Sequence, residues 1–273
     1  VRKTILVTGA TGRVGGQVLA ALSDTGAAVR AFARDPRGLP GGVAGDLSHP
    51  DTLVPALAGV DRVFLVWPGI PVEPRVVELI AEHARQVVYL SADVPDLADG
   101  EPPSSFHQEI ERQLRGTGLD WTFLRAIDFA ANTLAWAPQI RRGVVELPYG
   151  QASRSLLHER DIAEVAAHVL TTTGHHGGKY VLTGPESVPQ AELVRTIGEV
   201  VGREVRWREL APEIALERFT EIWGDRAFAE ARLAAWRSFV EIPERVTGTV
   251  ARLLGKPART FRTWATEHAA AFR

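Results

Sequence analysis

Three glycines at three-residue spacing, Gly9, Gly12 and Gly15, follow the apolar run Ile5-Leu6-Val7 and precede Val14, Val18, Leu19 and Leu22 at helical spacing. The chemistry such a stretch can do is to hold a pyrophosphate. Gly9 permits a tight turn after a buried strand, and Gly12 lets the backbone approach the phosphates. Gly15 lets the helix that starts near Arg13 pack closely on the strand, so that its free N–H groups face an anion. Thr11, Arg13 and Val14 complete the loop. The spacing is G-x-x-G-x-x-G, and glycines also occur at such turns for packing alone; the strand before and the helix after favour dinucleotide binding.

Twenty residues on, Ala28 to Ala33 alternates as a second strand and ends at Arg34-Asp35-Pro36. An acidic residue at this strand tip binds the ribose 2′-hydroxyl of NAD, whereas an arginine pairs with the 2′-phosphate of NADP. Arg34 favours NADP(H) over NAD(H), and Asp35 beside it keeps NAD open.

The elements needed to position such a loop follow in order. Asp61 to Val66 reads as a buried strand, Val76, Leu79, Ile80 and Ala84 mark one helix face, and Val87 to Leu90 forms another strand. Alternation of strand and helix predicts a Rossmann-type, doubly wound parallel α/β sheet with ligands at the carboxyl ends of its strands. The 273 residues suffice for that sheet and a smaller, mainly helical C-terminal substrate lobe. Residues 1–150 are expected to be mainly the NAD(P)-binding part. Residues 151–273 supply the remaining Rossmann elements and the lobe, interleaved in one unit.

Composition removes several classes of function. A net charge of −2, with signs alternating along the C-terminal helices, gives no case for nucleic acid. The chain has no cysteine, which excludes disulfides and thiolate chemistry, and its histidines show no metal-ligand spacing. His175-His176 read as exposed loop residues. No apolar run is long enough for a membrane span, and no signal peptide is visible, so a cytoplasmic location without membrane association is expected. All but three of the 31 basic residues are arginine, a bias typical of GC-rich bacterial genomes. Val1 reads as an alternative start or a processed end.

Thr8-Gly9-Ala10-Thr11-Gly12-Arg13-Val14-Gly15 resembles the cofactor loop of the extended and atypical short-chain dehydrogenase/reductases. Later stretches narrow the resemblance to the NmrA-like branch, which includes NAD(P)H-dependent quinone reductases and dinucleotide-sensing regulators. The resemblance implies that Asp46 and Leu47, after a short third strand, meet the adenine; Asp46 could equally hold the start of the following helix. It also implies that Val66, Trp67 and Pro68 pass beside the cofactor ribose and nicotinamide. Trp67 is then either a wall of the site or a core aromatic. Ser91 stands where the family carries its active-site serine. Phe129, Asn132 and Trp136 fall on the substrate side, though core packing explains both aromatics as well. Trp223, Trp236 and Trp264 could roof a substrate, pack the lobe or form a dimer face, with packing the simplest account.

The main departure lies in the helix of Ser104 to Arg112. Most short-chain reductases carry a Tyr-x-x-x-Lys pair there, and this sequence has none, its three tyrosines being Tyr89, Tyr149 and Tyr180. Counted from Glu111 and Arg125, His107 takes the lysine position and Pro103 the tyrosine position. His107 could bond the nicotinamide ribose or donate a proton near its ordinary pKa of about 6.5; with Glu111 at i+4 it could also be a helix-surface pair.

The expected function is an NADPH-dependent reductase that passes hydride to a quinone, an aromatic polyketide ketone or another conjugated carbonyl, with Ser91 and His107 as the candidate catalytic residues. Losing the tyrosine suits such an acceptor, because its reduced form is a delocalised anion and not a strongly basic alkoxide. The alternative is a non-catalytic NAD(P)-sensing interaction protein. The expected partner is a small aromatic or quinone-like molecule, and the expected state a monomer or homodimer.

Overall fold

The computed structural model describes residues 3–98 and 100–273, so Val1 lies outside the described residues. In chain order its elements are β1 (Thr4–Val7), α1 (Arg13–Ser23), β2 (Ala28–Ala33), β3 (Gly42–Ala44), α2 (Val54–Leu57), β4 (Arg62–Val66), α3 (Pro74–His83), β5 (Gln86–Ala92), α4 (Phe106–Arg115), β6 (Asp120–Ala126), α5 (Ala137–Arg141), β7 (Val144–Leu147) and β8 (Ser153–Arg154). Then come α6 (Glu159–Thr171), β9 (Gly178–Leu182), β10 (Val188–Pro189), α7 (Gln190–Val201), β11 (Arg206–Glu209), α8 (Pro212–Trp223), α9 (Arg226–Glu241), α10 (Thr249–Leu254) and α11 (Phe261–Glu267). The chain divides into two compact units. The first comprises Val1–Ile127, Glu159–Leu182 and Thr249–Lys256, and the second Asp128–His158, Thr183–Gly248 and Pro257–Arg273.

Seven strands of the first unit form one sheet in the order β3-β2-β1-β4-β5-β6-β9, and every pairing in it is parallel. This is the doubly wound sheet that the alternation of elements predicts, with β1 central because Ile5, Leu6 and Val7 are apolar on both faces and almost wholly buried. One face carries α1, α6 and α10, packed on one another. On the other, α2, α3 and α4 close a core with Leu6, Phe32, Leu65, Val87, Tyr89 and Phe123. Two buried polar residues at the amino ends of the strands have structural work: Arg62 donates to the Leu170 carbonyl, and Gln86 donates to that of Val169 at 3.3 Å. They satisfy carbonyls that the last turn of α6 leaves open. His175 departs from the sequence reading. It is buried, with its ring nitrogens 2.9 Å from the Tyr180 hydroxyl and 2.9 Å from Thr172 Oγ1, because the turn before β9 folds back over the end of α6; His176 alone is exposed.

The second unit holds the mainly helical lobe. β7 pairs with β11 in parallel and β8 with β10 antiparallel, and α5, α7, α8, α9 and α11 contribute to one core. Trp264 is fully buried and stacks on His268 at 4.4 Å between ring centres. Trp236 is buried too, and Trp223 stacks on Phe219 at 4.7 Å while staying partly exposed.

Leu65 is fully buried at the centre of the sheet. Leu65→Ala should cost about 2–5 kcal/mol, read as a lower urea midpoint at unchanged slope. Ile222 on α8 is 72% exposed, and Ile222→Ala should stay within about 0.5 kcal/mol of the parent in the same assay.

Candidate active site

The glycine loop leaves β1 through Thr8, whose hydroxyl lies 2.8 Å from the Val66 amide and 3.2 Å from its carbonyl. That pins the carboxyl end of β1 to the end of β4. Gly9 sits at φ +59°, where a side chain is strained, and a Cβ there would also press on Val66 at 3.1 Å. Gly12 is the N-cap of α1 and supplies no side-chain cap; the first turn holds no acid. A Cβ on Gly15 would lie 2.2 Å from the Gly9 carbonyl oxygen. Helix and loop therefore touch backbone to backbone, and an eleven-residue helix presents its amino end uncapped by any side chain. This geometry fits a pyrophosphate, and Thr11, Gly12 and Arg13 around it are exposed. Val14 and Leu47 turn their side chains into the interior, which leaves only their backbone to face a ligand.

At the tip of β2, Arg34 is exposed and among the described residues has no hydrogen bond or ion pair. Asp35 is engaged in a two-pronged pair with Arg37 at 2.8 and 2.6 Å, and that bond holds its carboxyl below the usual range. Sequence reasoning missed Arg37, which takes the acid beside Arg34 into an ion pair. Asp46 accepts from the Ser48 amide and hydroxyl, both at 2.9 Å, through one oxygen. These bonds lower its pKa and make it the pivot of a turn, not the cap of a helix.

Two expected lining residues belong to the core instead. Trp67 is 5% exposed, packs among the residues under α3, and spends its indole N–H on the Ile70 carbonyl at 2.8 Å. Trp136, in the second unit, is 9% exposed within that unit's core. In each case the strand or turn before the tryptophan aims the ring at the neighbouring helices. Pro68 beside Trp67 is exposed and Val66 half-buried.

The end of β5 shows the largest difference from a short-chain reductase. Ser91 is buried and donates to Glu111 Oε1 at 2.7 Å. Glu111, wholly buried on α4, also takes two bonds from Arg125 of β6, at 3.0 Å to one oxygen and 2.6 Å to the other. Arg125 reaches on to Asp96 at 2.6 Å, and Lys179 closes on the same oxygen at 2.8 Å. Lys179 and Arg125 hold the Asp96 carboxyl down at about 2 against its partial burial. Burial works against the Arg125 charge, and the two carboxylates outweigh it, so its pKa is raised. Ser91 is thus committed to a structural network. Glu111 and Arg125 served only as landmarks in the sequence; their bond spans a helix and a strand, and no local pattern announces it.

His107 stands in the first turn of α4, after the loop that leaves the carboxyl end of β5. It does not pair with Glu111. Its Nδ1 lies 2.8 Å from the Tyr89 hydroxyl, and its ring lies 4.1 Å from that of Phe106 between centres. Burial pushes the imidazole down to about 4, with the Glu111 charge opposing. It is neutral at neutral pH, so the expected imidazolium proton donor is absent. Tyr89 is fully buried, and burial followed by the Glu111 charge raises its pKa, so the phenol stays protonated.

The second unit has a polar centre of its own. Asp128 binds Arg154, Arg232 at 3.2 Å and the amide of Asn132. Burial opposes its charge, and the two guanidinium groups overcome it, so its pKa is lowered. Asn132 is exposed and Phe129 half-buried.

The NmrA-like family model matches residues 1–230, and the chain belongs to the NmrA-like family. It is 40% identical to a (4-alkanoyl-5-oxo-2,5-dihydrofuran-3-yl)methyl phosphate reductase of Streptomyces griseus, over 98% of this chain and 99% of that one. It is 34% identical to an NAD(P)H azoreductase of Xenophilus azovorans, again over 98% of this chain and 99% of the relative. Among solved structures, the triphenylmethane reductase of Citrobacter sp. superposes with a TM-score of 0.79 at 21% identity, covering 97% of this chain and 99% of the other; this likeness shows the fold. No helix among the described residues is long and apolar enough to cross a membrane, and no cluster among them could hold a metal ion.

The folded imidazole of His107 titrates near 4 and the unfolded one near 6.5. As pH falls below about 6.5, the unfolded chain takes up this proton first, so the contribution to stability is full above 6.5 and is lost on the way down to 4. His107→Gln should flatten the urea midpoint against pH across this window, and an unchanged slope would show that His107 is not buried neutral.

Proposed function

We propose that the protein is an NAD(P)H-dependent reductase that prefers NADPH and delivers hydride to a conjugated, electron-poor acceptor: a quinone, an aromatic ketone or an activated carbon–carbon double bond. The observation that carries this reading is the pairing of a backbone cradle suited to a pyrophosphate with a strand end where Arg34 is exposed and the neighbouring acid, Asp35, is already paired with Arg37. The relatives named above support it. The Streptomyces enzyme's name describes a ring double bond flanked by a lactone carbonyl and an alkanoyl group, and the Xenophilus enzyme's an azo linkage. Each is an unsaturated bond whose reduction needs two electrons and two protons.

Gly9, Gly12 and the first turn of α1 would hold the pyrophosphate, with Thr11 and Arg13 at its rim. Arg34, with Arg37 beside it, would take the ribose 2′-phosphate, and Asp46 and Leu47 would border the adenine. The nicotinamide supplies hydride when bound. Ser91 keeps β5 and α4 in place through Glu111, and His107 presents a neutral imidazole. Reducing an isolated ketone develops a localised, high-energy alkoxide, which needs a positioned acid to meet the charge as it forms. A quinone leaves a phenolate, whose conjugate acid has a reference pKa of about 10, so water and a neutral hydrogen-bond donor suffice. Positioning then provides most of the rate. Phe129 and Asn132 are the members of the second unit we assign to the substrate.

The test is oxidation of NADPH and NADH against a panel of quinones, aromatic ketones and activated alkenes, with binding of both cofactors measured in parallel. Turnover with NADPH favoured is the expected result. Arg34→Ala should raise KM for NADPH roughly 10- to 100-fold, the worth of one charge-assisted hydrogen bond of about 1.5–3 kcal/mol, and leave KM for NADH little changed. Tight binding of NADPH without turnover of any acceptor would point instead to a dinucleotide sensor.

A further inference from the structure

Tyr89 lies on β5 two residues before Ser91 and is wholly buried. Its hydroxyl has one hydrogen-bond partner among the described residues, His107 Nδ1 at 2.8 Å. Two arrangements satisfy that distance. If Nδ1 carried the hydrogen, the imidazole would donate to the phenol oxygen and the phenol hydrogen would be left in an apolar core with no acceptor, among Leu6, Val87 and Phe123. Stranding a buried hydroxyl hydrogen costs far more than the choice between imidazole tautomers. The phenol therefore donates, Nδ1 accepts, and the ring hydrogen sits on Nε2.

His107 Nε2 has no partner among the described residues, yet it is not among their buried, unpartnered polar atoms. It is the accessible edge of a largely buried ring, in the first turn of α4 just past the loop from the carboxyl end of β5. Doubly wound sheets bind their ligands at the carboxyl ends of the strands. The groups that face the ring are the phenol of Tyr89 and the ring of Phe106, with the Glu111 charge acting on it from one turn further along α4.

We propose that Tyr89 is a positioning residue that holds His107 in the Nε2–H tautomer, making the imidazole a neutral hydrogen-bond donor to the acceptor oxygen of the substrate. This rests on the reductase reading above and adds to it the identity and the state of the donor. A neutral imidazole N–H polarises a carbonyl or quinone oxygen without parting with its proton, and water completes the protonation of the delocalised anion. The tautomer matters because an Nδ1–H imidazole would present a lone pair at Nε2 and repel the same oxygen. The substrates favoured are those whose hydride acceptor is conjugated to an oxygen.

The experiment is nitrogen-15 correlation spectroscopy of histidine-labelled protein without ligand, followed from pH 5 to pH 8, with His107 assigned through His107→Gln. One hydrogen-bearing nitrogen at Nε2 and one bare nitrogen at Nδ1, unchanged over that range, is expected. A hydrogen at Nδ1, or a doubly protonated ring at pH 7, would overturn the proposal. Tyr89→Phe keeps the ring and its packing, which a melting curve checks, and should bring both tautomers into exchange. With an oxygen-conjugated acceptor, Tyr89→Phe should lower kcat several-fold and His107→Ala about tenfold or more, with KM for NADPH unchanged. His107→Gln, which keeps an N–H donor, should recover part of the loss. An unchanged kcat in Tyr89→Phe and His107→Ala would also overturn it. Failure of the parent protein to turn over any acceptor would count against the reductase reading and, with it, against the substrate-facing half of this one; the nitrogen spectra decide the tautomer independently.

Discussion

A carboxylate with no access to water, that of Glu111, is the constraint on which the site of the first unit depends. Burying such a charge is expensive unless every lone pair finds a donor. Here Ser91 supplies one bond and Arg125 two, with the Arg115 guanidinium 3.5 Å away on the next turn. Because Ser91 belongs to β5, Glu111 to α4 and Arg125 to β6, satisfying one carboxylate fixes three elements against one another. Asp96 extends the hold to β9 through Lys179 and fastens the loop between β5 and α4. The first turn of α4, and with it His107, takes its place from this network.

The same constraint explains what the site cannot do. A serine that donates to a buried carboxylate is not free to bond a substrate oxygen, and an imidazole desolvated until it titrates near 4 is not a reservoir of protons at neutral pH. On the proposed reading, neither group takes the part of the tyrosine of an ordinary short-chain reductase. The site is left with neutral donors and backbone amides, which stabilise charge only when it is already spread over a conjugated system. On the reading proposed above, substrate preference follows from what the fold has spent its polar groups on.

Much of this was legible in the sequence because it is local. The glycine loop, the buried strands and α3 are encoded within windows of a few to a dozen residues, where periodicity and turn chemistry speak directly. The place of Arg34 just past β2 was legible for the same reason. Trp67 and Trp136 were not, since an aromatic at a strand end or in a short helical turn has the same pattern whether its ring faces a cleft or the interior; only the packing of α3 and of the second core decides. Glu111 with Arg125, Tyr89 with His107, and Tyr180 with His175 pair side chains from different elements, and nothing in the spacing of either partner marks the match. His107 stands out by its place in the chain, but its hydrogen-bond partner is a phenol eighteen residues away, and burial sets its charge state.

The second unit is organised by the same kind of compromise. Asp128, the first residue of that unit, is satisfied by Arg154 and Arg232, and Arg232 lies over the Phe228 ring at 5.5 Å while Arg154 lies over Trp236 at 5.3 Å. Cations held at once by a carboxylate and an aromatic face are costly to rearrange. The frame of this unit is therefore stiff where it is charged, and adaptable at partly exposed positions away from these contacts, Phe129 and Trp223. Side chains at such positions can change volume without leaving a buried charge unpaired.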